Sequence, residues 1–263
     1  MQFLSVSDAP NINHLIARAR AHKADPFGQR ALGPQKMAIN LFFNSSRRTR
    51  MSTEKAARQL GCDVITYDAS GGWGIEFEDG AVMNMNTAEH VREAAGVLSQ
   101  YCDVLCVRSF PSLTDKEADA QDHIIKSFVR HATVPVVSLE SATRHPLQSL
   151  TDCLTIAEQR TVARPKVVLT WAPHPRKLPQ CVANSFAEWM LAWGEVDLTV
   201  VAKGDPFAAK AFLHHRRRLE VHPPRERAAP VDDAVARKPG PDGSFHRPPD
   251  GPRRTRTPKV ACN

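Results

Sequence analysis

Two hydrophobic periods alternate along most of the chain. Ile12, Leu15, Ile16 and Ala19 recur at helical spacing and predict an amphipathic helix over residues 11–20. The apolar run Ala38-Ile39-Asn40-Leu41-Phe42-Phe43 then reads as a strand, and residues 52–60 are helix formers. Further strands are expected at 62–67, 104–107, 134–139, 166–171 and 196–201. Helices at 88–100, 123–129, 147–159 and 182–193 fill the intervals; in the first of these Val91, Ala94, Ala95 and Leu98 share one side. Strands alternating with helices imply parallel pairing through right-handed crossovers, so the expected fold class is α/β with a parallel sheet.

The pattern also divides the chain. Ala163-Arg164-Pro165 reads as a hinge, which sets one domain over 1–160 and the start of a second α/β domain over 161–204. From Asp205 the character changes. Residues 205–263 hold ten of the twenty prolines, clusters such as His214-His215-Arg216-Arg217-Arg218, and no sustained apolar period. Such a segment cannot bury enough surface to offset its ordering entropy, and it is expected to be a disordered tail.

Composition narrows the class. A 42% hydrophobic and 24% charged chain is that of a soluble globular protein, without an apolar run long enough to cross a membrane. The start, Met1-Gln2-Phe3-Leu4, has neither the basic residues nor the apolar core of a signal peptide. Six scattered cysteines, of which only Cys102 and Cys106 are close, read as buried free thiols in a reducing, cytoplasmic compartment and not as a zinc site. The net charge of +7 suggests nucleic acid only until it is located. Residues 205–263 carry 13 Lys+Arg and 7 Asp+Glu, so the rest has 35 − 13 = 22 and 28 − 7 = 21. The body is nearly neutral, and the basic tail has only Phe207, Phe212 and Phe245 as stacking residues, which weighs against a nucleic-acid partner.

The candidate chemistry sits at the strand ends, where ligands of parallel sheets gather. After the first strand comes Asn44-Ser45-Ser46-Arg47-Arg48-Thr49-Arg50, a turn of hydroxyl residues entering a basic helix. A helix N-terminus offers unpaired N–H groups and a positive dipole end. Ser45, Ser46 and Thr49 add donors, and Arg48 and Arg50 add forked guanidiniums suited to phosphate. This segment reads either as a phosphate-binding turn or as a solvated basic helix start. Trp73 in the Gly71-Gly72 loop, Arg108, and Glu140 running on to His145 end other strands, so several cations, a histidine and an aromatic converge. His145 is placed to hydrogen-bond a carbonyl oxygen and Gln148 a neighbouring NH2, an arrangement that suits an acyl phosphate whose carbonyl is polarised as phosphate leaves. No metal or organic cofactor is called for.

At these residues the chain resembles a known family. Ser46-Arg47-Arg48-Thr49-Arg50 is similar to the carbamoyl-phosphate motif of aspartate and ornithine carbamoyltransferases, and His145-Pro146-Leu147-Gln148 to their His-Pro-x-Gln. Phe42-Phe43-Asn44-Ser45-Ser46, Gly72-Trp73, Val107-Arg108-Ser109-Phe110, Ala142-Thr143-Arg144-His145-Pro146 and Trp171-Ala172-Pro173-His174-Pro175 look like the branch acting on N-acetylornithine or N-succinylornithine in arginine biosynthesis. The resemblance, over residues 1–204, implies a carbamoyltransferase. Ser46, Arg47, Arg48, Thr49, Arg108, His145 and Gln148 would bind carbamoyl phosphate, with Arg108, His145 and Thr49 catalytic. Glu140 and Asn184 would meet the acylated ornithine, and Trp73 would be shared across subunits of a homotrimer. Ala88 would set acyl preference, because the acetyl branch has a glutamate there and the succinyl branch a proline. Alanine adds no charge against a succinyl carboxylate, so succinylornithine is favoured. Replacing Arg108 with alanine is expected to abolish carbamoyl-phosphate binding with the fold intact.

The resemblance stops at Gly204. Later family features (a His-Cys-Leu-Pro stretch, a substrate lysine, a late arginine and a closing helix) have no counterpart in residues 205–263, whose composition resembles translation in a shifted reading frame. The expectation is a chain with an incomplete ornithine side and uncertain turnover. Two other readings stand: an ordinary ornithine or aspartate carbamoyltransferase, against which the Trp171–Pro175 motif speaks, and a non-catalytic fragment whose basic tail binds nucleic acid.

Overall fold

The computed structural model describes residues 2–69, 71, 74–83, 87–171, 177–202 and 220–221. Five strands make one wholly parallel sheet: β1 (Gln2–Phe3), β2 (Met37–Phe42), β3 (Asp63–Asp68), β6 (Val104–Arg108) and β7 (Val136–Glu140), in the order β1-β7-β6-β2-β3. Between β3 and β6 runs a small parallel pair, β4 (Gly74–Glu76) with β5 (Thr87–His90). β2 shows why the sheet is organised around it. Five of its six residues are buried, and it lies between β3 and β6, covered on both faces. β3 alternates exposed and half-buried residues, as an edge strand does.

The helices are α1 (Ile12–Ala24), α2 (Arg47–Gln59), α3 (Val91–Tyr101), α4 (Lys116–Gln121), α5 (His123–His131), α6 (Pro146–Gln159) and α7 (Cys181–Trp193). Ile39, Leu41, Leu105 and Val107 of the sheet bury against Val91 and Ala95 of α3 and Ile125 and Phe128 of α5. Phe42, Cys106 and Leu139 form a smaller core with Leu147 of α6. Gly61, at φ 90°, turns the chain from α2 into β3 where a side chain would strike the Arg30 carbonyl.

Beyond residue 165, β8 (Lys166–Trp171), β9 (Asp197–Ala202) and β10 (Glu220–Val221) form a parallel sheet in the order β10-β9-β8. Its core includes Trp189, Phe186 and Met190 of α7 with Ile16 of α1 and Cys153 and Ile156 of α6. The two sheets therefore share α6, and Phe3 of β1 stands edge-on to Trp189 with ring centroids 6.1 Å apart. No helix among the described residues is long and apolar enough to cross a membrane.

One expectation is corrected. The helix expected from Ala88 starts at Val91, because Thr87–His90 pair with β4 and the His90 ring accepts the Arg92 N–H at 3.1 Å as the cap. Within the segment expected to be largely disordered, Glu220 and Val221 pair with Thr199 and Val200. Strand addition needs only backbone donors and acceptors at an open edge, not an apolar period. The remainder of 205–263 lies outside the described residues. Finally, β1, β4, β5 and α4 were not foreseen.

Candidate functional site

The strand order places a topological switch between β2 and β6, since the chain leaves β2 toward β3 on one side and returns to β6 on the other. The crevice outside the carboxyl ends of these two strands is where such a sheet binds ligands. α2 begins there. Its N-cap is Ser46, whose Oγ accepts the Thr49 N–H at 3.4 Å and donates to Thr49 Oγ1 at 3.0 Å. Arg47 and Arg48 follow in the first turn with no acidic residue beside them, and both are exposed. Arg50 is turned elsewhere: it pairs with Asp68 at 3.1 Å and lies over the Phe42 ring. Of the cations in the motif, Arg47 and Arg48 are thus the pair left for an anion at this helix end.

Arg108 ends β6 and Glu140 ends β7. The β6–β7 register slips between Val107 and Arg108, so Arg108 lies opposite Glu140 instead of Leu139. This bulge puts the two charged side chains together. Arg108 Nη2 and Nε reach Glu140 Oε2 at 2.7 and 3.0 Å, and its Nη1 donates to the Asn44 carbonyl at 3.2 Å. Both side chains are less than a tenth exposed. Of the five N–H groups of a guanidinium, two remain without a partner among the described residues. Asn44 also accepts the Phe110 N–H at 2.7 Å, and the Phe43 N–H donates to the Arg108 carbonyl at 3.0 Å. The end of β6 is thereby tied to the turn that starts α2.

His145 caps α6, with Pro146 in the first helical position. Its N–H donates to Ser185 Oγ of α7 at 2.8 Å, and its Nε2 lies 3.9 Å from Glu140 Oε2. Burial, aided by the Arg108 charge, holds the imidazole below its ordinary pKa against the pull of Glu140. A neutral ring results at physiological pH, able to donate one hydrogen bond without carrying charge. The loop before it is held by Asp122, which accepts from Ser141 Oγ at 2.7 Å, from the Ala142 N–H at 2.9 Å and from Thr143 Oγ1. Arg144 forks onto Glu188 at 2.9 and 3.0 Å. One turn into α6, Gln148 Nε2 donates to Asp152.

Of the residues anticipated from the sequence, Ser46, Arg47, Arg48, Thr49, Arg108, Glu140, His145 and Gln148 all stand at the carboxyl ends of β2, β6 and β7. Asn184 on α7 donates to the Thr143 carbonyl at 3.3 Å, beside the loop that carries His145. Ala88 is exposed on β5. Trp73 and the segment Ala172–Arg176 lie outside the described residues. Cys181 was missed: its thiol donates to Glu140 Oε1 at 3.2 Å, and burial pushes its pKa far up, so it is an inert donor. No short-range signal marks it, because the partner is 41 residues away. Asn44, by contrast, was in view within the motif.

Residues 2–158 match the profile of the aspartate/ornithine carbamoyltransferase carbamoyl-P binding domain. The chain belongs to this family. Among curated proteins it is 48% identical over 192 residues to the N-succinylornithine carbamoyltransferase of Bacteroides fragilis (strain 638R), covering 73% of this chain and 60% of that one. It is 40% identical over 189 residues to the N-acetylornithine carbamoyltransferase of Xylella fastidiosa (strain Temecula1), covering 70% and 55%. The chain thus spans about 60% of the length of the first of these relatives. A solved N-acetyl-L-ornithine transcarbamylase, with one glutamate changed to alanine and with carbamyl phosphate and N-succinyl-L-norvaline bound, superposes with a TM-score of 0.75 at 33% identity, over 84% of this chain and 70% of that chain.

Proposed function

We propose that this site binds carbamoyl phosphate and serves transfer of the carbamoyl group to the δ-amine of an N-acylated ornithine, giving an N-acylcitrulline. The observation that carries the reading is the junction of two features across the β2/β6 switch: the capped, basic start of α2, and Arg108 with neutral His145 at the ends of β6 and β7. The phosphate would lie on the N–H groups of the first turn of α2, between Arg47 and Arg48, with Ser46 and Thr49 hydroxyls as donors. The two spare N–H groups of Arg108 and the His145 ring would hydrogen-bond the carbonyl oxygen. In the reaction the amine nitrogen bonds to the carbamoyl carbon and loses a proton, which the departing phosphate takes up. The bond from that carbon to the phosphate oxygen breaks, and the electron pair leaves with phosphate. Fixed cations and helix N–H groups stabilise the departing charge, which is where electrostatic catalysis gains most.

Succinylornithine is the favoured acceptor. Support comes from the higher identity to a succinylornithine enzyme and from Ala88, which carries no charge against a succinyl carboxylate. Glu140 and Asn184 would approach this substrate from β7 and α7. A role in arginine biosynthesis and a cytoplasmic setting accord with such a substrate. A homotrimer with Trp73 shared between subunits goes with this family reading, and association of copies would cover exposed apolar residues such as Tyr67 and Val97. Turnover of the two acylated ornithines by the full chain with carbamoyl phosphate tests the acceptor. A clear acetyl preference would refute the assignment.

A further inference from the structure

The buried carboxylate of Asp152 has no place in the chemistry above. We propose that it is a positioning residue, fixing which end of the Gln148 amide meets the ligand and so setting the preference for a carbamoyl over another acyl group. This rests on the reading of the site as one for carbamoyl phosphate.

Gln148 and Asp152 stand one helical turn apart on α6, and Gln148 Nε2 lies 3.1 Å from Asp152 Oδ1. Asp152 is only 8% exposed, and its Oδ2 is buried with no hydrogen-bond partner among the described residues. An ionised carboxylate so poorly satisfied is a costly residue, and burial lifts its pKa to about 6. What it alone supplies is polarity of one sign. A carboxylate only accepts, so the glutamine must turn its NH2 inward and keep its carbonyl Oε1 for a ligand. An asparagine at this position could accept or donate, and would permit both amide orientations. The outward carbonyl can accept from the NH2 of a carbamoyl group. It has nothing to accept from the methyl of acetyl phosphate, and desolvation without a partner is unfavourable.

The test uses the full chain and calorimetric titration with carbamoyl phosphate, acetyl phosphate and inorganic phosphate. The unaltered protein should prefer carbamoyl phosphate to acetyl phosphate by about tenfold, the scale of one hydrogen bond. Asp152→Asn and Asp152→Ala should lower the ratio by about twofold or more, since the freed amide presents its carbonyl only part of the time, while the inorganic phosphate affinity stays unchanged. Gln148→Leu should bring the ratio close to unity, and adding Asp152→Asn to it should change the ratio no further, because Asp152 acts through Gln148. A ratio preserved in both Asp152 variants, or a further change in the Gln148→Leu background, would overturn the proposal while leaving the site reading in place. Failure of the unaltered chain to bind carbamoyl phosphate would overturn the site reading and this proposal with it.

Discussion

Replacing Asp152 with asparagine should stabilise the protein at neutral pH. Burial raises the carboxyl from 3.8 to about 6 in the folded state. That difference of about 2 units corresponds to about 3 kcal/mol between the two protonation states. The sign follows from which state holds the proton more tightly. Below about pH 4 the group is protonated folded or unfolded and costs nothing; as the pH rises through 6 the unfolded chain releases its proton first, and stability is lost over that window. The asparagine variant has no such titration. Its amide nitrogen takes over the partnerless position of Oδ2, which costs about 1 kcal/mol at every pH. The variant should therefore be about 1 kcal/mol less stable near pH 4 and about 2 kcal/mol more stable above pH 7. Urea unfolding of both proteins across this range, read as the difference at each pH so that other titrations cancel, measures the effect. A difference that stays flat from acid to neutral pH would refute the reasoning.

The ion pair at the end of β6 makes a contrasting prediction. Arg108→Ala strands the buried Glu140 carboxylate, so it should cost about 3–5 kcal/mol in urea unfolding as well as abolishing carbamoyl-phosphate binding. Arg108→Ala combined with Glu140→Ala should recover much of the loss. Ser46→Ala removes the α2 cap and should lower stability by about 1 kcal/mol, together with a weaker affinity for carbamoyl phosphate. Ala88→Glu should lower binding of N-succinylornithine relative to N-acetylornithine by at least about tenfold, a modest demand on like-charge repulsion. Equal loss for both ligands in competition titrations would remove Ala88 from the specificity position.

Much of the first sheet was legible because its strands are long and apolar. β2, β3, β6, β7, β8 and β9 all lie within a residue or two of the positions expected. The placement of the polar residues at their ends was legible for a related reason: in a parallel sheet, the residues just past each strand share one crevice, so linear order predicts their convergence. What stayed hidden depends on distant pairing. β1 is two residues long, and its partner β7 begins 134 positions later in the numbering. β5 is a polar run whose strand form is decided by β4. α4 has only two alanines as apolar residues and starts because Asp115 caps it at 3.0 Å. Arg108 and Glu140 were singled out separately, but their union comes from a register slip that no local pattern announces. The same holds for the thiol of Cys181. Arg50 was misjudged because spacing in a motif does not reveal that Asp68 ends the neighbouring strand and claims it.

The start of α2 is the proposed anion cradle for carbamoyl phosphate. Arg48 is the most direct probe, since it is exposed in the first turn and its loss should leave the fold untouched. Calorimetric titration of the full chain with carbamoyl phosphate should show saturable binding that inorganic phosphate competes away. Arg48→Ala should weaken that binding by about tenfold or more, the worth of one charge-assisted contact, with an unaltered unfolding curve. Absence of binding by the unaltered chain, or equal affinity in Arg48→Ala, would contradict it.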